Sequence, residues 1–209
     1  MTELEDEYIV DGMNKFERCI KRFVDFFISV VCLIIFSPLF LIIAVLVLLE
    51  DGQPVIFSQE RIGFRGKPFH IYKFRSMVVD AEKNGPELYK HENETRMTRV
   101  GNFLRKHHLD ELPQLWNVVK GDMAFIGPRP ERKYFIDKIM ERDGRYELLY
   151  QLRPGVTSYA TLYNGYTDTM EKMLRRLELD LYYLEHQSLW FDLKILVKTF
   201  VFIVFGKKF

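Results

Sequence analysis

The sequence predicts a helix-rich α/β domain of the α+β kind, facing the cytosol and held to a membrane by an N-terminal helix-break-helix. Three features predict it. Residues 23–49 are apolar except at Asp25, Ser29, Ser37 and Pro38. Two short strand-like runs joined by a turn containing glycine and proline follow. Beyond them helical spacing dominates, ending in two long helical runs. At 209 residues the chain can bury one sizeable core and is short for two ordinary domains with linkers. Lys and Arg total 30 against 29 Asp and Glu, so no net field gathers nucleic acid, which is not an expected partner. Cys19 and Cys32 can build neither a disulfide scaffold nor a zinc-spaced cluster, which fits a reducing, cytosol-facing setting.

Taking the elements in order, the N-terminus is acidic (Glu3, Glu5, Asp6, Glu7), and the apolar run after it is too long for a secretory signal and lacks a small-residue cleavage site. The anchor is expected to be retained. As one straight helix of about 1.5 Å per residue, residues 23–49 would measure roughly 40 Å, enough for a hydrocarbon layer of about 30 Å. Pro38, however, cannot give an N–H to the carbonyl of Ile34, while the Ser37 hydroxyl can serve the freed groups. The break leaves two halves, 26–36 and 39–49, each about half a bilayer deep. Physics alone leaves a kinked spanning helix and a re-entrant hairpin both open. Lys15, Arg18, Lys21 and Arg22 before the segment, with Arg61, Arg65 and Lys67 after it, put both ends on the cytoplasmic side. Asp25 is expected at the headgroup level, paired to Arg22 or Lys21.

Residues 55–59 and 69–74 read as strands, the second alternating through Phe69, Ile71 and Lys73, with Gly63, Gly66 and Pro68 in the turn. Residues 78–96 are polar and pattern-poor, a surface loop with one short helix. Residues 100–106 look helical. Leu112, Leu115, Trp116 and Val119 then fall at i, i+3, i+4 and i+7, with Asp110 and Glu111 opening the helix and Gly121 stopping it. Residues 123–126 read as a buried strand closed by Gly127-Pro128-Arg129-Pro130. Residues 170–185 and 189–205 read as helices, and the last is apolar enough either to lie in a membrane surface or to pack into the core.

Two acids at a helix start are ordinarily a cap and a favourable charge on the dipole. Here they follow Arg105, Lys106, His107 and His108 and precede the rigid turn around Arg129, so cations for an anionic substrate adjoin acids able to hold Mg²⁺ or attack phosphorus. Prolines on both sides of Arg129 suit a phosphate clamp.

The motifs together resemble those of bacterial sugar transferases, the monotopic phosphoglycosyl transferases. They are Lys21-Arg22-x-x-Asp25, Ser37-Pro38, Val55-Ile56-Phe57-x-Gln59-x-Arg61-x-Gly63 and Lys73-Phe74-Arg75-Ser76-Met77. There follow Leu109-Asp110-Glu111-Leu112-Pro113-Gln114-Leu115, Lys120-Gly121-Asp122-Met123 and Gly127-Pro128-Arg129-Pro130. Arg153-Pro154-Gly155-Val156-Thr157, Asp180-x-Tyr182-Tyr183 and Asp192-Leu193-Lys194 complete the set, in family order from about Lys21 to Thr199. The length sets the chain apart from larger relatives with extra N-terminal spanning helices.

The resemblance implies a cytosolic segment (1–22), a re-entrant membrane helix (23–49) and a catalytic domain (50–209). It implies transfer of a phospho-sugar from a nucleotide diphosphosugar, usually UDP-linked, to polyprenyl phosphate at the cytoplasmic membrane, starting glycan assembly. Asp110 falls at the family's nucleophile, which also contacts Mg²⁺, and Glu111 at its acidic partner. Lys73, Arg75, Arg105, Arg129, Asp180 and Asp192 fall at motif positions of the phosphate and nucleotide site. Downstream glycosyltransferases and a second copy of the chain are the further partners such a reading admits. One segment departs from the family: after Thr157 the chain reads Ser158 to Tyr166 where relatives commonly read Gly-x-Ala-Gln-Val-x-Gly-Arg. The missing arginine leaves Arg175 or Arg176 as replacements. A membrane hydrolase passing through an aspartyl phosphate is the nearest rival; a scaffold would not need Asp110, Glu111 and Arg129 together with the basic strand.

Overall fold

The computed structural model describes residues 11–79, 81, 96–165 and 167–205. The first helix, α1 (Lys15–Ile35), starts earlier than the apolar run because Asn14 and Glu17 form a reciprocal capping box that satisfies the first free N–H groups. At Phe36 the chain breaks and resumes as α2 (Ser37–Asp51), bent by 62° from α1. The cause is the expected one: Pro38 cannot bond Ile34, and the Ser37 hydroxyl donates to that carbonyl at 2.8 Å. Among the described residues no single helix is long and apolar enough to cross a membrane; the bent pair passes that test only together.

The pair is two-sided. Phe23, Phe27, Ile34, Leu41 and Leu49 are exposed, while Asp25 and Ser29 are buried on the side that packs on the domain. The expected pairing of Asp25 with Lys21 is present at 4.0 Å, and Asp25 itself lies inside the protein, 6% exposed, accepting from the Phe125 N–H at 3.4 Å. Lys21 also reaches Asp192, at 2.5 Å. Arg22 donates to the carbonyls of Val118 and Val119 at 2.6 and 2.9 Å, closing the end of the helix below it.

Strands β1 (Ile56–Ile62) and β2 (Pro68–Phe74) form the expected antiparallel hairpin, longer at its turn than the sequence pattern indicates, pairing from Ile56↔Phe74 to Ile62↔Pro68. The outer edge of β2 meets a side chain in place of a third strand: Asn117, fully buried, accepts from Tyr72 N–H at 3.1 Å and donates to His70 O at 2.7 Å. Residues 80 and 82–95, within the predicted loop, lie outside the described residues.

Helix α3 (Arg99–Lys106) is capped twice. The Thr98 hydroxyl accepts from Gly101 N–H, and the Glu50 carboxylate, at the end of α2, accepts from the N–H groups of Arg99 and Val100 at 2.7 and 2.8 Å. Helix α4 (Gln114–Lys120) ends at Gly121, whose φ of 91° supplies the left-handed stop. Strand β3 (Ala124–Ile126) pairs in parallel with β4 (Gly155–Thr157), which the sequence pattern does not announce as a strand.

Helix α5 (Lys133–Met140) and the 3₁₀ segment Gly144–Gln151 also escape sequence reading. They pack Ile136, Ile139 and Leu149 onto Met173, Leu177 and Leu181 of α7 (Met170–His186), the main core of the domain. Helix α6 (Tyr159–Asn164) occupies the segment that departs from the family. Helix α8 (Leu189–Val204) places Ile195 in the core and leaves Trp190 and Phe200 64% and 65% exposed.

The Lys21–Asp192 pair joins α1 to α8, and Asp192 also accepts from the Tyr183 hydroxyl of α7 at 2.6 Å. Removing one member of such a buried pair strands the other, at a usual cost of about 3–5 kcal/mol. Lys21→Met is therefore expected to lower the melting midpoint followed by circular dichroism, and adding Asp192→Asn to recover part of the loss. Equal melting of Lys21→Met and the wild type would show that the pair does not hold this junction.

Candidate active site

The site is built where α3 hands over to α4. His108 adopts a left-handed conformation (φ 54°), which turns the chain into the 3₁₀ segment Leu109–Glu111. Asp110 and Glu111 therefore lie one turn before α4 and do not open it, contrary to the sequence expectation. The reason is local: Pro113 has no N–H to carry a helical bond back to Leu109, and α4 begins only at Gln114. Side-chain cations, and not the α4 dipole, carry the pair's charge.

Those cations come from three elements. Lys73 of β2 reaches Glu111 Oε1 at 2.5 Å. Arg129, from the turn after β3, acts on both Glu111 and Lys73, and Arg105 of α3 acts on Asp110. The result separates the two acids. Burial pushes Glu111 up, but Lys73 and Arg129 outweigh it and hold the carboxyl down to about 2. Asp110, 4% exposed, is raised above the ordinary range, by burial first and then by the charge of Glu111, against the pull of Lys73, Arg105 and His108. Lys73 is in turn lowered by its own burial against the pull of Glu111. One carboxylate is thus committed to a lysine, and the other is the group an incoming cation would ionise fully.

Arg129 stands between two small pockets. Lys73, Glu111, Gln114 and Arg61 line the first with it. The second is lined by Arg129, Glu131, Tyr146, Arg176 and Asp180. Of the residues proposed from sequence, Asp110, Glu111, Lys73, Arg105 and Arg129 are brought together, and Asp180 adjoins them across Arg129. Arg75 and Asp192 line neither pocket. The Arg75 guanidinium donates to the carbonyls of Asp51 and Gly52 at 2.7 and 2.8 Å, holding the end of α2, and Asp192 is engaged by Lys21 and Tyr183. Of the two candidate replacement arginines, Arg175 is exposed, whereas Arg176 is buried and reaches Gly165 O at 3.4 Å, inside the departing segment.

Glu131 is the site residue that sequence reasoning passed over. Its signal was an acid directly after the rigid Gly-Pro-Arg-Pro turn. Among the described residues no group of three or more His, Cys, Asp or Glu gathers as a metal cage. The donor set still fits Mg²⁺, which is commonly held by one or two carboxylates together with substrate phosphates and water; Asp110 is the residue that would hold it.

The fold thus presents an exposed, bent apolar helix pair beside a paired-acid site ringed by Lys and Arg. The comparison with known families is specific: the bacterial sugar transferase family matches residues 16–206, and the chain belongs to that family. It is 41% identical over 187 residues to the UDP-N-acetylgalactosamine-undecaprenyl-phosphate N-acetylgalactosaminephosphotransferase of Aeromonas hydrophila, covering 90% of this chain and 44% of that protein. It is also 41% identical over 192 residues to the UDP-glucose:undecaprenyl-phosphate glucose-1-phosphate transferase of Escherichia coli (strain K12), covering 91% of this chain and 40% of that protein. An uncharacterized sugar transferase of Bacillus subtilis (strain 168) is 37% identical over 180 residues, 86% of this chain and 85% of the relative. The chain thus spans well under half the length of the first two relatives.

Asp180 gives the site a pH signature. Burial pushes its carboxyl up to about 8 in the folded chain, against the pull of Arg176, while in an unfolded chain it ionises near ~3.9. Between those values the folded state binds the extra proton, so stability falls as pH rises from about 4 to about 8 and levels above. Asp180→Asn removes that dependence. Its melting midpoint is expected to gain on the wild type steadily between about pH 5 and pH 8, and a gap that stays constant or reverses would show that Asp180 ionises normally in the fold.

Proposed function

We propose that this protein transfers a phospho-sugar from a UDP-linked diphosphosugar to undecaprenyl or another polyprenyl phosphate, through a covalent intermediate on Asp110. The observation that carries this reading is the division of labour between the acids: Glu111 is bound to Lys73, leaving Asp110 buried within reach of the field of Arg105 and Lys73. The names of the relatives, all given as acting on undecaprenyl phosphate with UDP-sugars in the two cases above, support the same chemistry.

In the first half-reaction an Asp110 carboxylate oxygen forms a bond to the sugar-bearing phosphorus as the bond to the bridging diphosphate oxygen breaks. The electron pair leaves with the nucleoside monophosphate. In the second, a phosphate oxygen of the lipid bonds to the same phosphorus and the Asp110 carboxylate departs, leaving a lipid diphosphosugar and the enzyme unchanged. Arg129 and Lys73 neutralise oxygens that would otherwise repel the attacking carboxylate. Bound Mg²⁺ would supply further charge neutralisation at the diphosphate. Arg129 lines both pockets, so in this reading the donor lies across them with its diphosphate at Arg129.

The same reading places α1 and α2 as a re-entrant hairpin and the open face of α8 in the surface of the cytoplasmic membrane. The 62° bend and the exposed Phe27, Ile34, Leu41, Trp190 and Phe200 support it. The catalytic domain then faces the cytosol, where the nucleotide donor is.

Two outcomes test these proposals. With Mg²⁺ and the right nucleotide sugar but no lipid, the wild type is expected to release about one equivalent of nucleoside monophosphate and stop, with a phospho-sugar mass on the Asp110 peptide. Asp110→Asn should fold normally and lose both burst and turnover. Nucleotide release that strictly requires the lipid would replace the intermediate with direct displacement; free sugar phosphate as product would make the protein a hydrolase. For topology, tags before Met1 and after Phe209 should both be labelled only from the cytoplasm. Ser37→Leu with Pro38→Ala should straighten the pair and move the N-terminal tag outside, whereas an N-terminal tag already labelled from outside in the wild type would end the hairpin proposal.

A further inference from the structure

The Gly127-Pro128-Arg129-Pro130 turn is strapped on two sides. Toward β4, Gly127 N–H donates to Thr157 O at 3.1 Å and Gly155 N–H to Pro128 O at 2.9 Å. Toward β1, Ile62 N–H donates to Glu131 O at 3.1 Å and Arg61 Nη1 to Pro130 O at 3.3 Å. These bonds fix the path of the backbone from which the Arg129 side chain rises.

The surroundings of that side chain are crowded with like charge. Arg61, Arg129 and Arg176 share the walls of the two adjoining pockets, and Lys73 stands beyond them. Arg176 is 8% exposed, and its guanidinium is disfavoured by burial and by the charge of Arg129. The acid set among these arginines is Glu131, 9% exposed, whose Oε1 accepts from Arg176 Nη1 at 2.8 Å and whose Oε2 lies 3.8 Å from Arg61 Nη1. Asp180, the other acid in that pocket, is held in its neutral form by burial up to a pH of about 8 and offers no compensating charge below it. Between partly buried guanidinium groups, repulsion is screened less than at an open surface.

We propose that Glu131 is a positioning residue: by gathering Arg61 and Arg176 against one carboxylate, it holds the three guanidiniums together and keeps Arg129 aimed at the bound diphosphate. This rests on the proposed donor site at Arg129. Glu131 itself touches no reacting atom. Its effect should be felt in donor affinity, relayed through Arg129.

A double-mutant cycle tests it, using the full chain in lipid nanodiscs with UDP as the probe, so that no turnover is required. Glu131→Gln, Arg129→Ala and the double variant are each titrated with UDP by calorimetry, and their melting is recorded alongside. Glu131→Gln is expected to weaken UDP binding about tenfold, and Glu131→Asp, which keeps the charge, to restore most of it. In the Arg129→Ala background, Glu131→Gln should change affinity less than about twofold, because the residue it acts through is gone. Losses that multiply would overturn the proposal, as would a Glu131→Gln chain that melts early yet binds UDP like the wild type. Should Glu131→Gln fail to fold, Arg176→Lys loosens the same bracket more gently and must weaken UDP binding in the same Arg129-dependent way; unchanged affinity there would also overturn it. A wild type that binds UDP with this coupling but transfers no phospho-sugar would refute the proposed reaction and leave the role of Glu131 standing. A wild type that binds no UDP would remove the donor site and the proposal with it.

Discussion

A buried charge must find its partner inside the protein, and this chain satisfies that requirement across its most difficult junction, where an apolar helix pair meets a charged domain. Lys21 sits on a helix whose outer face carries Phe23 and Phe27, yet its ammonium is held at 2.5 Å by Asp192. Asp192 belongs to α8 and is also bonded by Tyr183 of α7. Gln187 donates to the same tyrosine hydroxyl at 3.0 Å, which closes a polar knot inside an otherwise apolar contact. Hydrophobic burial alone would not fix the rotation of α1, since most of its faces are apolar. The ion pair and the Arg22 bonds to the end of α4 select the one rotation that hides Asp25 and Ser29 and leaves the aromatic residues outward.

The same requirement organises the site. Five elements deliver its charges: β2 brings Lys73, α3 brings Arg105, the 3₁₀ turn brings both acids, the turn after β3 brings Arg129, and α7 brings Arg176 and Asp180. No one of them is a site alone. The allocation of partners sets the chemistry, because Lys73 engages Glu111 at 2.5 Å while Lys73, Arg105 and His108 all pull Asp110 toward its charged form. Under the proposed donor site, the cations gathered around Arg129 repel one another in the empty pocket and are favourable once a diphosphate fills it. That exchange of one state's cost for the other's gain is how a site prefers its ligand over water.

Much of the fold was legible because its signals are local. The Ser37-Pro38 break follows from one missing N–H, the hairpin from alternation and its turn glycines, and α7 and α8 from long helical spacing. The elements that escaped are those with no local signal. Strand β4 is three residues long and exists because β3 lies beside it; α5 and the 3₁₀ segment after it are held by the apolar face of α7. The misplacement of Asp110 and Glu111 on α4 had a readable cause, since Pro113, lacking an N–H, already argued for a helix starting later. For the site, Asp110, Glu111, Arg105 and Arg129 were readable as adjoining charge, and family motifs added Lys73. What no motif conveys is pairing over long sequence separation. Glu131 with Arg61 and Arg176, and Lys21 with Asp192, join residues far apart in sequence, and only the folded chain shows that Asp192 braces the anchor.

The anchor and the site are joined by more than the first helix. Where α2 ends, Glu50 caps α3 through the N–H groups of Arg99 and Val100, and Arg75 clamps the carbonyls of Asp51 and Gly52. Gly101 lies so close to Ser76 O that a β-carbon there would sit 2.0 Å from it, which presses α3 against the end of β2. The end of α2 is therefore fixed to the helix that carries Arg105 toward Asp110 and to the strand that carries Lys73. Each link spans a few residues and leaves little slack. Under the re-entrant arrangement proposed above, α2 returns to the interface at this point, so its depth sets the height of Lys73, Arg105 and Asp110 above the lipid. A water-soluble nucleotide donor can approach such a site from the cytosol. A polyprenyl phosphate cannot leave the membrane, and a nucleophile whose height is fixed by the anchor is one that the lipid phosphate can reach without the domain having to move.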